Sequence, residues 1–255
     1  MITIFESIRF KTLEIFLRYS YNKTGNKLSS IELSTQSFID ALNDYLYLQN
    51  REYPEKPCLK LVGDRYRLSG NQRICLYRGI TSRLKARNRK SKLTQNLKNQ
   101  VIHIDGYNVM FTIMNYLLGK TTFISNDGLM RDSGAAYGKI EDEKIIFRAA
   151  HLLFDYLSGT YARETIIYLD TTVENCENHK ITLETERTRH NSSGTILLLK
   201  HADTKLKEIR DGIVATSDSE IIDSFSGRIV DAARQTLRQA FKIKITDLKS
   251  LLRYD

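Results

Sequence analysis

Phe38, Leu42, Tyr45 and Leu46 recur at i, i+4, i+7 and i+8, which places them on one face of a helix that Ser34-Thr35-Gln36-Ser37 would start. Pro54 and Pro57 break that pattern. Ser69-Gly70 then reads as a turn and Gln72–Ile80 as a short helix. From residue 101 the pattern changes. Val101–Ile104, Thr165–Leu169, Thr195–Leu199 and Gly212–Ala215 are short apolar runs. Helical stretches separate them, among them Asn108–Leu118 and Glu143–Tyr156, the latter with a stripe of Ile146, Ala149, Ala150, Leu153 and Phe154. Buried strands alternating with helices predict an α/β fold with a mostly parallel sheet. Arg228–Val230 and Phe241–Ile245 are expected as late strands.

Composition narrows the class. The 255 residues are 41% hydrophobic, enough for one sizeable core, or one core plus a small satellite. No apolar run approaches the roughly 20 residues that span a bilayer. The opening MITIFESIRFKTLEIF is broken by Glu6, Arg9, Lys11 and Glu14 and lacks a signal-peptide layout, so a cytoplasmic protein without membrane contact is expected. Cys58, Cys75 and Cys176 lie far apart, and the five histidines form no HxxxH or HExxH pattern. A metal, if used, is expected to be held by carboxylates, which favours Mg²⁺ or Mn²⁺.

The net charge is +9, and its distribution divides the chain. Arg65–Ile104 holds 11 basic residues and no acidic one, so the remainder is slightly negative. The reading is a helical N-terminal region at 1–82, an exposed basic linker at 83–100 and an α/β domain at 101–255. The linker is either a solvated spacer or an arm that meets phosphates through Arg83, Lys85, Arg87, Arg89, Lys90 and Lys92. Arg73 and Tyr77, just upstream, suit a stacked single-stranded base beside its phosphate, or else simple packing.

In an open α/β sheet, ligands gather beyond the carboxyl ends of the strands. Three predicted strands end on aspartate: Asp105 in DGYN, Asp170 in DTT, and Asp218 in TSDS, with Asp223 one turn past Ser219. Asp127 and Asp132 lie in a further acidic loop. Any one of these suits a helix cap. Together they would repel one another unless a cation intervened. No GxxxxGK[ST] phosphate loop, GxGxxG or GxSxG occurs.

VIHIDGYNVMFTI resembles the opening of PIN-like and NYN-type nuclease domains, and IVATSDSEIID resembles their later strand. IDGYN (104–108), NDGLMRDSGAAYGK (126–139) and ATSDSEIID (215–223), behind LVGDRYRLSGNQRICLYRGI, together resemble a set of uncharacterised prokaryotic proteins with domains of unknown function. That resemblance covers about residues 38–230. It implies a PIN-like three-layer sandwich behind a small helical region. It also implies metal ligation by Asp105, Asp170 and Asp218, and a further acid that is Asp127 or Asp132. Asn108 and Ser217 would be polar supports, with Asp223 nearby, and Arg131 and Lys139 would meet phosphate. Asn126 stands where the pattern is more acidic. The expected activity is Mg²⁺- or Mn²⁺-dependent hydrolysis of phosphodiesters, with RNA favoured. The rivals are a non-catalytic RNA-binding protein with a degenerate site and a small-molecule phosphatase.

Overall fold

The computed structural model describes residues 32–134 and 143–253. Lys139 and residues 1–31 of the N-terminal region lie outside them.

Helix α1 (Gln36–Gln49) starts where Thr35 accepts the Phe38 amide, and it buries Phe38, Leu42, Tyr45 and Leu46 as the spacing predicts. The two prolines start a helix rather than only ending one. Pro54 is the N-cap of α2 (Glu55–Arg65), and Pro57 sits in its first turn, where an amide has no intrahelical acceptor to lose. Ser69 caps α3 (Gly70–Gly79) in a reciprocal capping box with Gln72, so Ser69-Gly70 is a helix start. The core of these helices is shared. Phe123, from mid-sequence, and Leu248, from the far end, are buried in the same cluster as Phe38, Leu42 and Leu76. Gly79 allows that packing, since a Cβ there would collide with Leu248 and stand 3.0 Å from Phe123.

Residues 83–100 are not an exposed linker. Arg83–Lys92 is a helix, α4, capped by Ser82. Past it, Leu93 bridges Ile229, and the Thr94 amide donates to the Ile229 carbonyl at 2.9 Å. The segment is strapped along the edge of the main sheet.

That sheet has five parallel strands in the order β5-β4-β1-β6-β7: β1 (Val101–Asp105), β4 (Glu164–Asp170), β5 (Gly194–Leu199), β6 (Ile213–Ala215) and β7 (Arg228–Val230). All five were expected from their apolar runs. On one face pack α5 (Gly106–Leu117), α6 (Glu143–Ser158), α7 (Cys176–Arg189) and α10 (Ala232–Ala240). On the other pack α8 (Ala202–Glu208) and α9 (Ser219–Ser224). The domain is therefore a three-layer α/β/α sandwich with helices on both faces.

Phe241–Ile245 is not a strand. Only Thr246–Asp247 (β8) pairs, and it does so in a second sheet, order β3-β2-β8, with β2 (Thr122–Ile124) and β3 (Met130–Asp132). Ile243 and Ile245 instead pack against the main core. Among the described residues no helix is long and apolar enough to cross a membrane.

Candidate functional site

The chain runs outward from central β1 through β4 to β5, then crosses back to β6 and β7. The strand order reverses between β1 and β6, the point at which open α/β sheets place a crevice outside the strands' carboxyl ends. Asp105 ends β1 and Asp218 follows β6, so the topology alone sets them on the two sides of that crevice.

Asp105 is buried and makes no capping hydrogen bond to its own helix. It accepts from Thr216 Oγ1 at 2.7 Å, across the crevice. Burial pushes its carboxyl up to about 7. The Thr216 bond and the nearby Asn108 amide oppose this, while Asp203 and Asp218 add to it. Gly106 lets the start of α5 lie close against β4, because a Cβ there would stand 2.7 Å from the Tyr168 carbonyl. Asn108 supports the opposite wall. Its Oδ1 accepts from the Ser217 amide at 2.8 Å and from Ser217 Oγ at 2.9 Å. Asn108 and Ser217 thus hold the loop that carries Asp218.

Asp218 caps α9 through one oxygen, Oδ1, which accepts from the amides of Glu220 (2.8 Å) and Ile221 (3.1 Å). Asp170 forms an Asx turn with Thr172 and accepts weakly from the Ala202 amide at 3.4 Å. Burial pushes the Asp170 carboxyl up, but the bonds from Thr172 and Ala202 outweigh it, and it lies below its ordinary value. Asp203, in the first turn of α8, joins these groups although the strand-end pattern did not single it out. Its partial desolvation, then Asp218 and Asp170, push its carboxyl up. Its signal was available, since it follows β5 by four residues. Among the described residues, no three of these carboxylates come within 4.8 Å of one another.

Asp127 and Asp132 do not join this crevice. Arg131 pairs with both oxygens of Asp127 at 2.9 and 3.0 Å, Arg89 adds a hydrogen bond at 3.2 Å, and Ser125 donates to it as well. Burial raises the Asp127 carboxyl, yet Arg131, Ser125 and Arg89 together hold it at about 2. Asp132 is saturated by Thr112, Asn115 and the Gly134 amide, with Arg78 3.4 Å away. Both are buried and committed to internal donors, which corrects their expected place among the catalytic acids.

The arginines are likewise committed. Arg131 is buried and donates to the Ser217 carbonyl at 3.2 Å, so it is not placed to meet a phosphate. Arg89 is only 6% exposed. It pairs with Asp223 and donates to Ser219 Oγ at 3.0 Å, directly beside Asp218. Asp223 is therefore the partner of Arg89. Lys92 donates to the carbonyls of Ile222 (2.6 Å) and Phe225. Arg73 binds the Leu68 carbonyl and Asp64. Of the basic residues expected to meet nucleic acid, Arg83, Lys85, Arg87 and Lys90 are exposed, and Tyr77 is 43% exposed.

Residues 94–235 match the family model described as "Domain of unknown function (DUF5616)", more than half of the chain. The chain belongs to the DUF5616 family. Residues 37–92 match a second model, "Protein of unknown function (DUF434)". The boundary between the two matches falls at the end of α4, so Arg89 reaches from the DUF434 segment into the DUF5616 segment. The chain is similar to "Uncharacterized protein MJ0935" of Methanocaldococcus jannaschii, with 31% identity over 186 residues, which is 72% of this DUF5616 protein and 88% of the relative. No solved structure matches it.

Proposed function

We propose that this DUF5616 protein is a PIN-like, Mg²⁺- or Mn²⁺-dependent nuclease that acts on RNA. The observation that carries the reading is Asp105. A buried carboxyl at the sheet's switch point, pushed up to about 7 by burial and by neighbouring Asp203 and Asp218, is a group that gains from a cation. The donors there are all carboxylate oxygens, which suits a hard divalent ion. Asp105, Asp170, Asp218 and Asp203 would hold it. When bound, such an ion supplies an activated water and positive charge for a departing oxygen.

The chain's own residues perform the remaining work. Thr216 fixes the orientation of Asp105, and Asn108 with Ser217 fixes the height of the Asp218 loop. Arg89 and Arg131 hold Ser219 from below. Helix α4 meets that loop through buried Arg89, and its exposed Arg83, Lys85, Arg87 and Lys90 would bind the phosphates flanking the reacting one.

One observation favours the rival reading, a nucleic-acid-binding module without chemistry: the crevice carboxylates are not closed to ligand spacing. Cleavage of single-stranded RNA and DNA, with Mg²⁺, Mn²⁺ or EDTA, separates the two. Metal-dependent cleavage lost in Asp105→Asn and Asp218→Asn supports the nuclease. RNA binding that is unchanged by metal and by both variants, without cleavage, supports the module.

A further inference from the structure

A second cluster lies on the helical layer formed by α6 and α7. His151 projects from α6, while Glu186 and His190 stand four residues apart along α7 and its last turn, and so share a face. His151 Nδ1 is 2.8 Å from Glu186 Oε2, and His190 Nδ1 is 3.8 Å from the same oxygen. The two imidazole rings are 5.0 Å apart, and one donor atom from each of the three residues lies within 4.8 Å of the others. Glu186 is fully buried at 0% exposure. Its Oε1 accepts no hydrogen bond, although Arg189 Nη1 stands 3.0 Å away as an ion pair. A buried carboxylate oxygen left without a hydrogen bond is costly unless something further is meant to meet it.

We propose that His151, Glu186 and His190 form a binding site for a borderline divalent transition metal, Zn²⁺ being the ion whose chemistry fits the donors. Two imidazoles and one carboxylate are a recognised zinc donor set with a fourth position open to water, and they suit Mg²⁺ poorly. His151 is half exposed, which leaves the open side toward solvent, while Arg189, more than half exposed, pairs with Glu186 and lies over the Phe147 ring, so a metal that takes Oε1 replaces Arg189 there. The site lies at the opposite pole from the acidic crevice. Helix α7 runs back from the end of β4, so its last turn lies near the starting end of β5, whereas the aspartates lie at the strands' carboxyl ends. A metal there pins α6 to α7 and stabilises the fold.

The test uses the full chain, stripped with EDTA and titrated with Co²⁺, followed by visible absorption, and with Zn²⁺, followed by calorimetry and thermal unfolding. With excess Mg²⁺ present to fill the carboxylate crevice, one tight equivalent per chain, a raised Tm and a tetrahedral Co²⁺ band are expected. His151→Ala and His190→Ala should each weaken Zn²⁺ binding beyond the roughly 10–100-fold that loss of a ligand's outer hydrogen-bond partner costs. Asp105→Asn and Asp218→Asn should leave this binding unchanged, so the outcome is independent of the nuclease reading. Wild-type protein without the Co²⁺ band overturns the proposal, even if the alanine variants do not fold. Binding retained in both histidine variants, or lost in the aspartate variants, overturns it too. The cluster is then a buried carboxylate held only by Arg189 and the two histidine rings.

Discussion

Arg89 grips Asp223 through two parallel hydrogen bonds of 2.7 Å each, although the two residues are 134 positions apart. The same guanidinium reaches Asp127 and Ser219. A planar fork meeting a carboxylate edge-on is the strong form of ion pair, and lysine cannot reproduce it. The pair ties α4 to the loop that carries Asp218.

Arg89→Ala should therefore destabilise the protein by about 2–4 kcal/mol, somewhat less than the cost of breaking a fully buried pair, because Asp223 is partly exposed and Asp127 keeps Arg131. Arg87→Ala, on the exposed face, should change stability by no more than about 0.5 kcal/mol. Denaturant unfolding of both variants decides the matter, and equal midpoints would mean that α4 is only loosely docked.

Asp105 makes a prediction about pH. Its folded value, about 7, lies above the ordinary carboxylate value near 3.8. The folded state therefore holds this proton where the unfolded chain has released it, and the contribution of Asp105 to stability falls as pH rises from about 4 to about 7. Asp105→Asn removes that liability while keeping an acceptor for Thr216. The variant should equal wild type near pH 4 and melt higher above pH 7, by a margin on the order of a few kcal/mol at most. Melting curves across that range, taken without divalent metal, test it. A variant less stable than wild type at pH 8 would show that the carboxylate itself is the structural element.

The strands were legible because parallel strands buried on both faces read as near-continuous apolar runs, and the runs before Asp105 (broken only by His103), Asp170 and Asp218 have that form. FKIKI misled because its alternation satisfies a strand, yet Ile243 and Ile245 find a packing surface without a ladder. The basic segment misled for a different reason. Arg89 and Lys92 look like their neighbours in composition, and their partners at Asp223, Ile222 and Phe225 lie some 130 residues downstream. Asp127 and Asp132 are indistinguishable from crevice acids until Arg131, Thr112 and Asn115 are placed around them. His151 and Glu186 are 35 residues apart, so no ligand spacing could have joined them.

If α4 binds a polyanion, it does so with four side chains and not six. Replacing Arg83, Lys85, Arg87 and Lys90 by alanine should weaken RNA binding and lower the log–log salt slope. On a single strand the slope should fall by about 0.7 for each phosphate that is no longer neutralised. Cleavage of a short substrate should persist. Lys92→Ala should instead act on stability, because Lys92 holds the end of α9. A salt slope unchanged by the fourfold variant would show that α4 meets no phosphates.

Tyr77 offers a sharper probe of the N-terminal helices. It sits on α3 beside buried Tyr45, with 43% of its surface open, while neighbouring Arg73 is occupied by Asp64 and Leu68. A half-exposed ring has a face available for a base, and stacking is worth about 1–3 kcal/mol per base. Tyr77→Ala should reduce affinity for single-stranded RNA about 5- to 150-fold and affinity for duplex much less. Tyr77→Phe should keep the affinity, since stacking needs the ring and not the hydroxyl. Arg73→Ala should lower stability rather than affinity, because its partners are internal. The half of Tyr77 that is covered contributes to packing, so a stability loss near 1 kcal/mol is expected in Tyr77→Ala. A much larger loss, or equal effects on single-stranded and duplex RNA, would identify Tyr77 as packing for Tyr45 and leave base recognition to another surface.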